Sequence, residues 1–468
     1  MTYEELQALC QQQRTIIEKQ ALQIQQLTET VRTLTETVRD LKELLNRNSK
    51  NSSSPPSTNR DSKNKEKKDK SNKLRKKRAV NMGLQRFSNE QVNRFHDHRP
   101  ANCSQCGSTD LTNGFIKSRH QTVDLPPIKP VVEEHRRWSC RCKDCGCVNL
   151  GQFPKDLSRK TYGPNIRAWI VVLATKGNVT IRKAMAILQE LLCTKATLGT
   201  SVNIANHFAD AVDVHYKGLM ADVKTEDLCY VDETGWYQRS KKRWVWQCAT
   251  SKAVGFMISA SRGAKAAREL LGDKQDRILV TDRWEPYDAV PRQRQYCFAH
   301  LIRNLRAVEE RGKKDKVLGG LLRSSLQSVC HERGLWKAGQ LSWEAFSEKA
   351  QTMKMAFHEI LCIGRKRASY RKTKRLCDRL LEEFDRMWVF LQDQRVELTN
   401  NESERNLRSI VLKRKVSLGS WGASGEMFIA KGYSIMATLA KRGFSFAHYV
   451  RDVFRSVMSG LEAPPLPG

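Results

Sequence analysis

The chain has 468 residues, with 82 Lys and Arg against 50 Asp and Glu, a net charge of +32. A field of that sign draws polyanions, and nucleic acid is the expected partner. The longest apolar run, seven residues from Ala168 to Ala174, is far short of the roughly 20 a bilayer span requires, and no apolar leader follows the Gln-rich opening. These features exclude a membrane role and predict a cytosolic protein with its fourteen cysteines reduced.

Residues 1–46 predict a coiled coil. Ile17, Ile24, Val31, Val38 and Leu45 recur every seven positions, with Leu27, Leu34 and Leu41 on the second seam position. β-Branched residues at one seam position and Leu at the other favour a parallel dimer, so a homodimer or higher oligomer is expected; packing on the chain's own body is the alternative. Residues 47–95 predict a disordered basic linker. Within it, Arg60 to Arg78 carries eleven Lys and Arg against three acids and too little apolar surface to fold. The linker serves either as a loose DNA tether or only as a spacer.

Residues 96–155 predict a zinc module. Cys103-x-x-Cys106-Gly107 and Cys142-x-x-Cys145-Gly146 have the spacing of two zinc knuckles, each aiming two thiolates at one tetrahedral ion. Cys103, Cys106, Cys142 and Cys145 are the expected ligands, with Cys140 and Cys147 as nearby substitutes. Residues 156–222 predict helices, with one apolar stripe through Ile181, Ala184, Ile187, Leu188 and Leu191 and a second through Val202, Ala205, Phe208 and Val212. Helix, short break, helix suits a DNA reader and equally suits ordinary packing.

Residues 223–302 switch to strand periodicity. Leu228 to Asp232 and Arg277 to Asp282 are apolar runs that each end in an acid. Between them lie strands at Trp244 to Cys248 and Val254 to Ser259 and a helix at Gly263 to Leu271; a fifth strand is expected over Gln295 to Phe298. Three strands, a helix and a fourth strand, with aspartates on the first and fourth, is the RNase H-like order, in which those two strands are parallel neighbours. Two carboxylates held together repel, and hard oxygen ligands suit Mg²⁺ or Mn²⁺, two ions in an in-line phosphoryl displacement.

Residues 303–398 predict a helical insertion, and 399–460 a helical return to the core before a tail at 461–468. Glu404 in Asn400-Asn401-Glu402-Ser403-Glu404-Arg405 is the candidate third acid. It shares a stripe with Leu407 and Val411, whereas Glu402 shares one with Asn406 and Ser409. Glu404 also fits a capping box with Asn401, or an ion pair with Arg408. The predicted fold is therefore a multidomain α+β chain: coiled coil, zinc ribbon, helical DNA-binding region, and an RNase H-like core interrupted by helices.

With these residues in hand, the chain resembles the DDE transposases of the insertion sequence 66 family over nearly its whole length. The resemblance rests on the zipper-like start, Asn51-Ser52-Ser53-Ser54-Pro55-Pro56-Ser57, the paired cysteine knuckles, Val231-Asp232-Glu233-Thr234-Gly235-Trp236, Thr281-Asp282-Arg283, Cys297-Phe298-Ala299-His300-Leu301, Thr399-Asn400-Asn401 with Glu404-Arg405, and Lys415-Val416-Ser417. The crowded cysteines from Cys140 to Cys147, and Glu402 where small residues are common, depart from the usual pattern. The resemblance implies a bacterial, cytoplasmic, nucleoid-associated enzyme that cleaves transposon ends and transfers the freed 3′-hydroxyl into target DNA. It also implies a metal-binding triad of Asp232, Asp282 and Glu404, and accessory transposition proteins as candidate partners. Arg405, Arg408, Lys413, Arg414, Lys415 and Trp421 are candidate DNA contacts; core packing is the alternative for Trp421. His300 is a candidate accessory residue at a phosphate or proton, or a structural histidine. Two other functions compete: a DNA-binding regulator with an inactive nuclease core, and an RNase H-like nuclease without strand transfer.

Overall fold

The computed structural model describes residues 3–48, 50–52, 87–124, 129–154, 160–192, 197–290 and 293–468; most of the expected basic linker lies outside them. The chain divides into two compact units: Asp61–His135, and Met1–Arg60 with Arg136–Gly468. In the smaller unit the Gln121 amide brackets Phe87, accepting from its backbone N–H at 2.9 Å and donating to its carbonyl at 3.0 Å. The first cysteine knuckle follows at Cys103.

In the larger unit, α1 spans Tyr3–Leu45. All eight predicted seam residues are at least half exposed in the single chain, from Val38 at 50% to Leu45 at 84%. A short antiparallel hairpin, β1 (Ser139–Arg141) and β2 (Val148–Leu150), frames the second knuckle. Four helices follow: α2 (Pro164–Ala174), α3 (Ile181–Leu192), α4 (Leu198–Ala211) and α5 (Asp213–Thr225). The expected stripes hold in part, with Ala205, Phe208 and Val212 buried as predicted. Ala184 and Leu188 are buried, but Leu191 and Val202 are exposed, and the buried face of α4 runs through Ile204, Ala205, Phe208 and Ala209. A 3.6-residue repeat brings 204 and 208 onto one face, and that face meets Phe446 and Phe454.

The sheet contains β3 (Leu228–Gln238), β4 (Lys241–Ala249), β5 (Val254–Ser259), β6 (Ile278–Thr281) and β7 (Gln293–Tyr296), with α6 (Ala264–Leu271) between β5 and β6. The strand order is β5-β4-β3-β6-β7. β3 and β4 pair antiparallel, as do β4 and β5; β3 with β6 and β6 with β7 pair parallel. Two details correct the expectation. β3 continues past Asp232 to Gln238, and the fifth strand is Gln293–Tyr296, because Phe298 already opens a helix. Side chains alternate across β3. Tyr230 and Trp236 enter one core with α2, α4 and the C-terminal helices, while Cys229 and Val231 enter a second with α5 and α6.

After β7 come α7 (Phe298–Glu310), α8 (Lys313–Lys337), α9 (Trp343–Arg367) and α10 (Arg371–Glu382), then α11 (Asn401–Ser417), α12 (Ala423–Lys441) and α13 (Phe446–Met458). Among the described residues no helix is long and apolar enough to cross a membrane.

Two buried lysines serve as helix caps. Lys431 donates to the carbonyl of Ala209 at 2.9 Å and pairs with Asp213 at 2.8 Å. Lys413 donates to the carbonyls of Ala174 at 2.7 Å and Val179 at 2.6 Å, past the end of α2. Carbonyls left over at a helix C-terminus attract a cation. Lys413 is 5% exposed and so is corrected from a DNA contact to a structural cap.

Burial lowers the Lys413 ammonium to about 8 from its ordinary 10.5. Between these values the unfolded chain binds a proton that the folded chain does not, so this group makes stability rise with pH across that window. Lys413→Met should remove that rise, on the order of 3 kcal/mol at most. Thermal melts from pH 7.5 to 10.5 of both proteins check it; parallel curves would contradict it.

Candidate functional site

Tyr230 pairs with Val280 across the parallel β3–β6 ladder. Asp232 stands two residues further along β3, and Asp282 is the first residue past the end of β6. The chain therefore brings the two predicted aspartates side by side where parallel pairing stops.

The third acid arrives through a hydrogen-bonded path. Cys297 donates its N–H to the carbonyl of Thr281 at 3.0 Å, and Phe298 donates to Leu398 at 2.8 Å. The Cys297 sulfur accepts from the Asn400 backbone N–H at 3.1 Å, and the Asn400 side-chain amide donates to the carbonyl of Val231 at 2.8 Å. The segments before Asp232, after Asp282 and before Glu404 are thus tied at one buried point. Asn400, not Asn401, is the N-cap of α11, and its side chain serves the sheet rather than the helix. The capping box is not formed. Glu404 instead reaches α7, 3.5 Å from Arg303 and 3.8 Å from His300.

The buried stripe of α11 is Ser403, Leu407 and Ile410, which corrects the stripe drawn through Val411. Glu404 stands at its edge, its side chain 38% exposed. Glu402 pairs with Lys441 of α12.

Electrostatics set this cluster apart. Burial first, then Glu233 and Asp282, with a contribution from Glu404, push the Asp232 carboxyl well above the usual carboxylate range. Glu233, on the opposite face of β3, is also raised, by burial and by Asp282, against hydrogen bonds from Tyr287 and Arg262. Arg262 pairs with Glu233 at 2.7 Å and lies over the rings of Trp244 and Trp284, 4.8 and 3.9 Å from their centroids. Burial and Arg303 lower the His300 imidazole against Asp282 and Glu404. Its Nδ1 is buried with no hydrogen-bond partner among the described residues. Beneath Asp282, the buried Arg294 guanidinium donates to its carbonyl at 2.9 Å and to the Thr281 hydroxyl at 3.1 Å.

Clustered oxygen donors under mutual repulsion fit a divalent cation. Among the described residues, no three His, Cys, Asp or Glu side chains close into a metal-ligating group. The backbone gathers these acids, and the side chains remain apart.

Around the acids, Arg405 and Arg408 are exposed on α11, as is Lys415. Arg414 is drawn inward, donating to the carbonyl of Gly235 and the Thr234 hydroxyl. Trp421 is 84% exposed, so core packing is not its role. The guanidinium of Arg239 lies 5.9 Å from its ring centroid and donates to its carbonyl at 3.1 Å. The preceding turn needs glycine: at Gly419, with φ +121, a Cβ would stand 2.1 Å from the Tyr237 carbonyl oxygen.

The two cysteine knuckles are local copies of each other. The Gly107 N–H donates to Cys103 O at 2.9 Å, and Cys103 N–H to Ser108 O at 2.8 Å; Gly146 to Cys142 and Cys142 to Cys147 repeat this at 3.0 and 2.7 Å. Both glycines have φ +73, the left-handed turn that glycine adopts at least cost. Backbone hydrogen bonds from Cys106 and Gln105 lower the Cys103 thiol, and those from Cys145 and Asp144 lower Cys142.

Sequence reasoning missed Asn400, Arg303, Lys441 and the Glu233–Arg262–Tyr287 cluster. Only Asn400 and Glu233 carried a signal, each lying inside a motif already singled out.

Fold and site together define a basic α+β protein with a mixed sheet, toward one end of which three acid-bearing chain segments converge, and with cysteine knuckles N-terminal to it. Residues 159–427 match the family model described as Transposase IS66 family, and the chain belongs to that family. Residues 100–146 match the zinc-finger binding domain of transposase IS66, and residues 3–88 a family of unknown function. Two proteins of Sinorhizobium fredii are similar. The uncharacterized protein y4hP is 22% identical over 381 residues, 73% of this chain and 67% of that protein. The uncharacterized protein y4jO is 34% identical over 100 residues, 21% of this chain and 30% of that protein. Membership in the family implies a transposase enzyme with DNA as its partner and zinc in its finger domain.

Proposed function

We propose that the protein is a DDE-type DNA transposase with an RNase H-like core, which cuts phosphodiester bonds at the ends of its element and joins the freed 3′-hydroxyls to target DNA. The observation that supports this reading is the parallel register of β3 and β6, which ends at Tyr230 and Val280 just before Asp232 and Asp282, together with the Asn400 amide bond to Val231 that ties the start of the Glu404 helix to the same end of the sheet. In cleavage, water attacks phosphorus, the P–O3′ bond breaks and the 3′ oxygen leaves, taking up a proton as water gives one up; in transfer, that 3′-hydroxyl attacks a phosphodiester of the target and loses its proton as the target's own P–O3′ bond breaks and its 3′ oxygen leaves protonated. Asp232, Asp282 and Glu404 would hold Mg²⁺ or Mn²⁺, which when bound supplies positive charge for the developing charge on the phosphoryl oxygens. Arg303 and His300 orient the Glu404 carboxylate. The exposed Arg405 and Arg408 offer guanidinium forks to phosphates, and Trp421 offers a ring on which an unpaired base can stack. The exposed apolar seam of α1 supports pairing with a second copy.

Glu402 and Glu404 separate the catalytic role from a structural one. On duplex DNA carrying the element's end, with Mg²⁺, Glu404→Gln should cut at background level while binding DNA as the parent does. Glu402→Gln should stay within about fivefold of the parent, since its ion pair with Lys441 is worth at most ~1 kcal/mol. An active Glu404→Gln beside a dead Glu402→Gln would reverse the assignment, and normal cutting by both would remove the helix from the site.

The knuckles carry a second test. The Cys-x-x-Cys-Gly spacing suggests Cys103, Cys106, Cys142 and Cys145 as the ligands of one structural zinc, and each loop taken by itself has the turn that such a thiolate pair needs. Elemental analysis should find one zinc per chain, lost in Cys103→Ser and Cys142→Ser and kept in Cys140→Ser. Full zinc in Cys142→Ser would move the ligand role to Cys140 or Cys147.

A further inference from the structure

A cleft of about 380 Å³ lies between α7 and α10, lined by Arg283, Arg311, Lys372, Arg375 and Arg379. The single acid in its lining, Glu43, comes from the far N-terminal end of the chain. The last turns of α1 dock there. Glu43 accepts from Arg311 at 2.9 Å and lies 3.5 Å from Lys372, Asp40 pairs with Lys372 at 2.7 Å, and Arg39 lies over the Tyr370 ring, 4.9 Å from its centroid. Burial raises the Glu43 carboxyl, but hydrogen bonds from Arg311 and Lys372 outweigh it and leave it lowered. Even so, the cations are incompletely satisfied. The Nε atoms of Arg283 and Arg311 are buried without a hydrogen-bond partner among the described residues, and Arg375 and Arg379 are exposed.

The cleft adjoins the acidic centre. Arg283 directly follows Asp282, and α7 carries Arg303 and His300, which meet Glu404, before it reaches Arg311. From Arg303 to Arg311 is eight residues of helix, about 12 Å, or the axial span of three to four phosphates of one DNA strand. Guanidinium forks in a row at that spacing suit a phosphodiester backbone.

We propose that this cleft binds backbone phosphates of the DNA strand approaching the acidic centre, and that Asp40 and Glu43 of α1 occupy it in the DNA-free protein as carboxylate stand-ins that the strand must displace. The inference rests on the proposed DNA function. The strap is suited to displacement, because its ion pairs are few and partly exposed, and such pairs are weak and screened by salt. A strap that holds most molecules closed weakens apparent affinity by the fraction left open.

The test is anisotropy of labelled duplex DNA with the full chain across a salt series, without Mg²⁺, so that its outcome does not depend on cleavage. Asp40→Asn with Glu43→Gln should tighten binding ~5-fold or more. The control, Glu29→Gln with Glu36→Gln on the exposed part of α1, makes the same charge change away from the cleft and should do markedly less. Arg375→Gln with Arg379→Gln, both on the surface of α10, should lower the slope of log affinity against log salt by about 2 and abolish the gain from neutralising the strap. Millimolar inorganic phosphate should not reproduce the competition; if it does, the cleft is a free-anion site and the DNA assignment falls. Equal gains from the strap and control pairs would overturn the strap. An unchanged salt slope would overturn the cleft. DNA binding that passes these tests while cleavage fails would spare the inference and sink the transposase reading.

Discussion

Three acid-bearing segments approach one end of the sheet, and the restraint that gathers them is the buried amide of Asn400. Its Nδ2 holds the carbonyl of Val231, and its backbone N–H holds the sulfur of Cys297, which is itself tied to Thr281. One residue thus fixes the N-terminus of α11 against the two strands whose ends carry Asp232 and Asp282. A buried hydrogen bond contributes about 1 kcal/mol net, but leaving its partner unmade costs about 1–3 kcal/mol. The Asp232 carboxyl there is raised, first by burial, then by Glu233 and Asp282.

The same economy governs the cations. A net +32 reads as a DNA-facing surface, yet several of those charges never reach it. Arg277, fully buried, donates to the carbonyls of Glu226 and Leu271 and to that of Val223. Arg294 underlies Asp282, Lys413 and Lys431 close helix ends, and Arg243 holds Glu426 through two hydrogen bonds of 3.0 Å. All but Arg243, which holds a side-chain carboxylate, replace missing backbone partners at turns and termini. Among the described residues, cations exposed to a polyanion include Arg375 and Arg379 on α10, Arg405, Arg408 and Lys415 on α11, and Arg239 beside Trp421.

Much of this was legible in the sequence because it is written in periodicity and spacing. Apolar runs that stop at an acid gave the strands and both aspartates, and Cys-x-x-Cys-Gly gave two knuckles with matching turns. What escaped depends on tertiary partners. Lys413 looks like any basic residue in Lys-Arg-Lys until α2 places two open carbonyls beside it. Val411 and Ile410 are equally apolar, and only the direction of docking decides which is buried. β3 runs on past Asp232 because β4 pairs with it as far as Gln238, a fact about the partner strand. Asn400 and Asn401 are chemically identical neighbours, and the sheet selects the first.

The central claim, that Asp232, Asp282 and Glu404 form one cation-holding centre, is tested most directly by titrating Mn²⁺ into the full chain bound to duplex DNA and following free Mn²⁺ by electron paramagnetic resonance. The account predicts bound Mn²⁺ that is lost or severely weakened in Asp232→Asn, Asp282→Asn and Glu404→Gln alike, and retained in Glu402→Gln. Undiminished Mn²⁺ binding by Glu404→Gln, or loss of binding only in Glu402→Gln, would contradict it.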